Sequence, residues 1–561
     1  MADPAWPWQS AYPAGIDWAA PFPECPVDRL LDDALRRFRD RPCLDFLGRR
    51  YSFGEVGDLV SRAANGFRAI GVGKGTRVGL SLPNTPYYII CYYAVLKAGG
   101  IVVNFNPLYV EREVRHLIAD SGVEIMVTLD LAQLYPNVAR MLGDGGLKKL
   151  VVCAMSDILP FPKNRLFRLF KRGTVAAYPD DAAHITFAAL IDNDGVVEPV
   201  PIDPRRDVAV LQYTGGTTGT PKGAMLTHYN LVANAMQCQL WFHGAAEGGE
   251  RGLAVLPFFH AFAMTTAMNF SIAGGHEIVM VPRFELAGLL RTIVKKRPTI
   301  FPGVPTLFTA ISNYKDIGKY DLSSIKFCIS GGAPLPLEVK TSFETLTGCT
   351  LVEGYGLSEA SPVAVCNPFG AVNKPGSVGL PLPGTIVEIL PLEGPPVPMP
   401  AGERGEICLR GPQVMAGYWG KPEETSRVLR DGLLRTGDVG YLDADGYLFL
   451  VDRIKDIIIG SGYKIYPRNV EEAIYQHPAV AECIVVGLPD PYRGQTVKAF
   501  VVVLPGESLT EAALLAFLAD KLSPIEMPKQ VEFRLSLPKT AVGKLSKQAL
   551  LAEDAARRGS E

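Results

Sequence analysis

The stretch YTGGTTGTPKGAMLTH (213–228) sets Gly215, Gly216 and Gly219 among the hydroxyls of Thr214, Thr217 and Thr218, and it carries a single amine, Lys222. Glycines that admit close backbone approach, hydroxyls and one ammonium make up the composition of a phosphate cradle. It is not the nucleotide-binding P-loop. Counted from Gly216, the G-x-x-x-x-G-K-[ST] pattern meets Pro221 at its second glycine and Gly223 at its hydroxyl position. Four further segments combine glycine-rich turns with carboxylates, an arginine, an aromatic ring or a lysine. They are SGGAPLP (330–336), EGYGLSEASP (353–362), LLRTGD (433–438) with VDRIKDIIIGSGYKIYP (451–467), and PKTAVGKLSK (538–547).

The elements that must position these residues follow from the pattern of the chain. At 561 residues it exceeds one ordinary core, so several packed units are expected. Hydrophobic residues make up 48% and charged residues 20%, the balance of a globular protein. A net charge of −2 leaves no electrostatic footprint for nucleic acid as a partner. The 10 Cys are scattered without a C-x-x-C pair, which argues against a zinc site or a disulfide framework and for a reducing, cytoplasmic location. The start MADPAWPWQSAYPAG lacks the basic and apolar regions of a signal peptide. The most apolar stretch, YYIICYYAVLKAGGIVVNF, is interrupted by Lys97 and a Gly pair, so it predicts a buried helix and then a strand rather than a membrane span.

From about 27 to 330, strand-like runs (TRVGLSLP, KKLVVCAM) alternate with amphipathic helical patterns (EVGDLVSRAANGFRAIGV, LAGLLRTIVKKR). Such alternation predicts α/β layers with mainly parallel strands. DVAVLQYTGGTTGTPKG then reads as a strand running into the glycine-rich loop, with a helix beginning near Leu226. The texture between 388 and 410 is Pro/Gly-rich β, and YLDADGYLFLVDR predicts a hairpin about an Asp-Gly turn. Asp443 and Asp445 miss the spacing of a calcium loop, which leaves them as turn residues. The expected fold is α/β: a large N-terminal α/β domain of several subdomains, one β-rich, over 1–451, and a small α+β domain over 452–561.

In this order and spacing the five motifs resemble the adenylate-forming superfamily of acyl-CoA synthetases, luciferases and peptide-synthetase adenylation domains. The resemblance covers about 30–550. The flanking sequences LQYTGGTTGTPKGAMLTH, LPFFHAFAMT and VDRIKDIIIGSGYKIYP look like those of bacterial long-chain fatty-acid–CoA ligases. The resemblance implies two half-reactions. A carboxylate attacks the α-phosphate of MgATP to give acyl-adenylate and pyrophosphate, and the thiol of coenzyme A then displaces AMP.

The same resemblance assigns roles. The 214–222 loop would hold the β- and γ-phosphates. Glu359 would hold Mg²⁺, with the Thr214 hydroxyl beside it, and Ser358 keeps a hydroxyl where many relatives have Thr. Gly332, Ala333 and Pro334 would border adenine, with Tyr355 stacking on it between Gly354 and Gly356. Asp438 would grip the ribose diol, assisted by Arg453. Lys544 would enter the site and neutralise charge at the attacking carboxylate. Rotation of a mobile C-terminal domain about a hinge near Lys455 would then replace it with GSGYK (460–464), where Gly460 and Gly462 let pantetheine pass. Relatives carry P-x-E-[VI]-E after the YP turn, whereas this chain reads Pro467-Arg468-Asn469-Val470-Glu471, which removes the first acid and keeps the second.

His260 resembles the residue beside the substrate carboxylate at the mouth of the acyl pocket. HAFAMTTAMNFSIAGG and TIFPGVPTLFTAI read equally as tunnel wall or as ordinary core. Chain length is weakly encoded, because four buried methylenes amount to roughly 3 kcal/mol, which one obstructing side chain can reverse. FPKNRLFRLFKRG (161–173) interleaves Arg165, Arg168, Lys171 and Arg172 with Leu166, Phe167, Leu169 and Phe170. This pattern fits peripheral contact with a membrane face, and equally a solvated basic face. The leading expectation is a ligase for a fatty acid, ATP and coenzyme A, with long chains favoured. Aryl or medium-chain acids, an acyl-AMP ligase that loads a carrier protein, and a non-catalytic lipid-binding relative are the alternatives. A homodimer stays open.

Overall fold

In a computed structural model, which describes residues 6–214, 221–540 and 543–558, two large mixed sheets form the bulk of the chain. The seven-stranded sheet runs in spatial order His184–Thr186, Lys149–Cys153, Ile125–Leu129, Arg77–Ser81, Ile101–Asn104, Val208–Thr214 and Lys222–Thr227. Its neighbours are parallel except the last pair, where Thr214 lies opposite Lys222. The nine-stranded sheet is parallel through Thr350–Gly356, Phe327–Ser330, Ile300–Gly303, Arg251–Ala254, Glu277–Met280 and Pro42–Phe46, with antiparallel strands at both edges.

The most apolar stretch forms the helix Pro86–Lys97, buried on every face from Pro86 to Leu96, and then the strand Ile101–Asn104. A helix apolar all round belongs inside a core. Among the described residues no helix is long and apolar enough to cross a membrane. The amphipathic helices Phe53–Ala69 and Leu286–Lys296 form where the pattern places them. The first opens on a capping box, in which Ser52 and Glu55 bond each other's backbone N–H.

A helix does start near Leu226, as His228–Trp241 capped by Thr227 and Asn230; the element the pattern leaves out is the strand before it, Lys222–Thr227, on which the chain returns. Ala, Met and Leu favour helix locally, but here both strand edges are taken. Gly223–Leu226 pairs with Val210–Tyr213 on one side. On the other, Met225 N–H donates to the Gly417 carbonyl (2.8 Å) and Trp419 N–H to the Gly223 carbonyl (2.8 Å).

The β-rich part is an antiparallel sheet of Ile386–Leu390, Gly405–Arg410, Leu433–Leu442 and Leu448–Arg453, with Leu429–Arg430 at its edge. Its last hairpin turns where predicted. Asp443 Oδ1 accepts the N–H of Asp445 (3.0 Å) and of Tyr447 (2.9 Å), and Lys374 pairs with both aspartates. A smaller C-terminal domain follows. It has a five-stranded sheet, Ile458–Gly460, Tyr463–Ile465, Val480–Asp490, Gly494–Val503 and Gln530–Phe533, and its own core of Ile458, Val470, Ile474, Val485, Val501, Leu514 and Leu518.

Candidate active site

Four neighbouring parallel strands of the nine-stranded sheet end on one edge, and each leads into residues singled out above. Arg251–Ala254 leads to His260, and Ile300–Gly303 to Thr306. Phe327–Ser330 leads to Gly332, Ala333 and Pro334, while Thr350–Gly356 contains Tyr355 and leads to Ser358 and Glu359. The carboxyl ends of parallel strands, where backbone groups and loops converge, are the usual ligand crevice of open α/β sheets.

Lys544 reaches this edge from the C-terminal domain. Its turn is pinned by Thr306, whose hydroxyl donates to the Gly543 carbonyl (2.7 Å), and is closed by Thr540 N–H donating to the Lys544 carbonyl (2.7 Å). The ammonium lies against Gly332: a Cβ there would stand 2.3 Å from Lys544 Cε and 2.7 Å from Nζ. Gly332 also holds φ +80°, a left-handed backbone that glycine adopts without strain. Burial, and then the nearby Arg453 guanidinium, lower the Lys544 pKa to about 8. Burial, and then Lys544 itself, lower that of His260 to about 3, so its imidazole is neutral at ordinary pH. His260 Nδ1 accepts the Phe262 N–H (3.3 Å), which fixes the ring at the start of the buried segment that follows.

The residues expected at the nucleoside form a connected set. The Tyr355 hydroxyl donates to Asp438 Oδ2 (2.7 Å), and Arg453 Nε pairs with Asp438 Oδ1 (3.2 Å). Asp438 and Arg453 are register partners on adjacent antiparallel strands, so the hairpin itself places the arginine. Burial raises the Asp438 pKa, while Arg453 and Tyr355 hold it down. The two glycines flanking Tyr355 serve the sheet. A Cβ on Gly354 would meet Ile329 Cδ1 at 3.0 Å, and one on Gly356 would meet the Pro362 carbonyl oxygen at 1.8 Å.

Of the phosphate loop, Gly215, Gly216, Thr217, Thr218 and Gly219 lie outside the described residues, and the strands on either side bring Thr214 opposite Lys222. The Lys222 ammonium pairs with Glu424 and lies 5.3 Å from the centroid of the Tyr418 ring. The Tyr418 hydroxyl donates to Glu359 Oε1 (2.8 Å). Among the described residues Oε2 has no partner, and burial raises the pKa of the group. An open carboxylate oxygen is the hard-oxygen chemistry that a magnesium ion takes, so Glu359 fits the ion implied above.

Other predicted residues stand apart from this cluster. Gly460 packs on Ile465 and Gln495, and Gly462, at φ +83°, faces open space. The turn that carries them lies on the C-terminal sheet, not against Gly332. Lys455 sits in the short turn Ile454–Asp456 that joins the β-rich sheet to that domain. The departure at Asn469 leaves a bonded helix: Arg468 pairs with Glu472 (2.8 Å), and Glu471 Oε1 accepts the Val485 N–H (2.9 Å) and pairs with Lys547 (3.2 Å).

Three contributors were not singled out from sequence. Thr306 and Tyr418 act through partners distant in the chain, as described. Glu353 is buried, and its Oε1 accepts the Leu335 N–H (3.2 Å), which steadies the loop bearing Gly332. Burial pushes its pKa up to about 7, against the pull of Arg468. Its place in EGYG, one residue before the glycine, was the available signal.

The chain is similar to proteins of known family and structure. The AMP-binding enzyme profile matches residues 31–419, and the AMP-binding enzyme C-terminal domain profile matches 469–544. A long-chain-fatty-acid–CoA ligase of Bacillus subtilis (strain 168) is 46% identical over 551 residues, covering 98% of each chain. A feruloyl-CoA synthase of Amycolatopsis sp is 36% identical over 501 residues, 89% of this chain and 93% of that one. Among solved structures, an anthranilate CoA ligase in complex with anthranoyl-AMP superposes with a TM-score of 0.84 at 26% identity, over 96% of this chain and 99% of that one. ATP-bound MatB from Rhodopseudomonas palustris gives 0.81 at 26% identity, over 94% and 99%.

Proposed function

The chain belongs to the AMP-binding enzyme family, and from that premise we infer that it is a long-chain-fatty-acid–CoA ligase. It joins a fatty acid to ATP, releasing pyrophosphate and forming acyl-adenylate, and then passes the acyl group to the thiol of coenzyme A with release of AMP. The observation that carries this reading is the Lys544 ammonium, supplied by the C-terminal domain and lodged against Gly332 at the carboxyl edge of the parallel strands.

The first step drives a carboxylate anion onto a polyanion, so positive charge must be prearranged at the point of attack. Lys544 supplies it. His260, neutral, offers a hydrogen bond without adding a competing charge. Tyr355 and Asp438 hold the nucleoside, and Arg453 keeps the Asp438 carboxylate oriented toward the ribose. Lys222, Thr214 and the loop between them receive the phosphates. Glu359 and Thr214 would hold Mg²⁺, which when bound neutralises phosphate charge; Tyr418 orients the carboxylate. We place the domain boundary at 451/452 with the pivot at Lys455. Rotation there would withdraw Lys544 and deliver Gly460 and Gly462 for coenzyme A.

The acyl chain is expected beside the segment after His260. Its residues Ala261–Ile272 are buried, and two of its hydroxyls are bonded inward: Thr265 donates to the Ser361 carbonyl (2.6 Å) and Thr266 to the Phe262 carbonyl (2.7 Å). An apolar face of this kind suits an aliphatic chain. An aryl acid is the second reading, favoured by the 36% identity to a feruloyl-CoA synthase. The helix Lys163–Phe170 buries no side chain, and it fits contact with an anionic lipid surface, where a long-chain substrate would reside.

The test measures pyrophosphate release and thioester formation with acids from acetate to oleate and with ferulate, with and without coenzyme A. Thioester formation that peaks on long aliphatic acids is the expected result. A peak on ferulate would replace the substrate, and pyrophosphate release without thioester would replace the acceptor.

A further inference from the structure

The Lys222 ammonium is held by a carboxylate that none of the roles above requires. Glu424, in the helix Pro422–Val428, pairs with it beside the Tyr418 ring. Both side chains are about one-third exposed, at 30% and 33%, so the pair faces the solvent from which a nucleotide would arrive. We propose that Glu424 is a built-in competitor for Lys222, a carboxylate that occupies the phosphate-binding cation until the polyphosphate of ATP displaces it.

The pairing is a constructed feature of the fold. The segment 415–419 runs alongside the second strand of the phosphate hairpin: Ala416 N–H donates to the Met225 carbonyl (2.9 Å), Met225 N–H to Gly417 (2.8 Å) and Trp419 N–H to Gly223 (2.8 Å). At its other edge Met415 N–H donates to the Glu359 carbonyl (2.8 Å). The helix bearing Glu424 is tied to this segment by Tyr418 N–H donating to Thr425 Oγ1 (2.9 Å). It is tied to the first hairpin strand by Lys421 pairing with Asp120 (2.9 Å), which also accepts from the Tyr213 hydroxyl (2.7 Å). Backbone pairing therefore fixes where Glu424 stands relative to Lys222.

The consequence is electrostatic. A polyphosphate carries several charges where Glu424 carries one, so it wins the ammonium, but only after the existing pair is broken. The freed carboxylate then stays near the bound anion and repels it. A pair about one-third exposed weakens the apparent binding of the polyanion by about two- to fivefold. Glu423, the preceding residue, is exposed, carries the same charge, and makes no ion pair among the described residues.

This inference deepens the proposed function and rests on ATP being the nucleotide. Titration of Mg·ATP, and separately of inorganic pyrophosphate, into the full-length protein and its Glu424→Gln and Glu423→Gln variants tests it. The expected result is two- to fivefold tighter binding of both by Glu424→Gln, with Glu423→Gln close to the parent. Damage to the fold would not tighten binding, so the sign separates competition from disruption. Equal or weaker binding by Glu424→Gln, or equal tightening by Glu423→Gln, overturns the proposal. A parent protein that binds no Mg·ATP overturns the proposed function first, which is a distinguishable result.

Discussion

The Lys544 ammonium occupies the space into which any side chain at position 332 would project. Gly332→Ala should therefore displace the lysine and slow adenylate formation by roughly a hundredfold, the scale of losing one preorganised charge. Combined with Lys544→Ala, the second change should add little, because both remove the same interaction. Additive losses in that double-mutant cycle would mean that Gly332 matters for its backbone alone.

Lys544→Ala should slow pyrophosphate release by ~10²–10³-fold, while thioester formation from supplied acyl-adenylate and coenzyme A stays within a few-fold of the parent. Single-turnover assays of the two halves decide this. Equal loss in both would contradict a lysine used only in the first.

The Lys544 pKa, lowered to about 8, sets a pH limit. The ammonium is charged below that value, so kcat/KM for adenylate formation should fall as pH rises through about 8. His260, with its pKa near 3, should contribute no limb between pH 5 and 8. A rate that climbs above pH 8 would point to a neutral amine acting as a base.

Glu353 should make stability depend on pH. Its pKa rises from 4.5 to about 7, so the folded chain keeps this proton where the unfolded chain has lost it. The associated stability is complete below pH 4.5 and is lost as pH rises through 7. Relative to the parent, Glu353→Gln should thus gain on the order of 3 kcal/mol between pH 4 and 8. Denaturant unfolding at several pH values reads this directly, and a constant difference would contradict it.

Phe161, Leu169 and Phe170 are 72%, 67% and 72% exposed. They stand beside Lys163, Arg165, Lys171 and Arg172, none of which pairs with a carboxylate among the described residues. Replacing the three apolar residues by Ser should reduce co-sedimentation with anionic vesicles by about tenfold, and added salt should reduce that of the parent. Unchanged partition would leave this helix as a solvated surface element.

The cluster at the carboxyl edge of the parallel strands was legible because its residues sit in contiguous motifs whose order resembles the adenylate-forming superfamily. A polyanion site calls for glycine turns, a lysine and a hard carboxylate, and these sit in contiguous motifs. The return strand 222–227 was not legible, since Ala-Met-Leu favours helix and only pairing with 210–213 and 417–419 decides otherwise. Tyr418, Thr306 and Glu353 escaped for a related reason. Each acts through a partner that the fold, not the local sequence, brings near. The helix Lys163–Phe170 was readable from its own alternation of basic and apolar residues, because Phe167 packs on the core while Leu166, Leu169 and Phe170 stay exposed.

Arg453, which pairs with Asp438, lies two residues before Lys455 on the same run of chain. The hand that steadies the ribose grip is thus also the last joint before the proposed pivot. Asp438 is thus one ion pair and two residues of chain away from the start of the C-terminal domain. Asp438→Asn should alter the resting swing of the C-terminal domain even in empty protein, as a distance probe across the two domains would register.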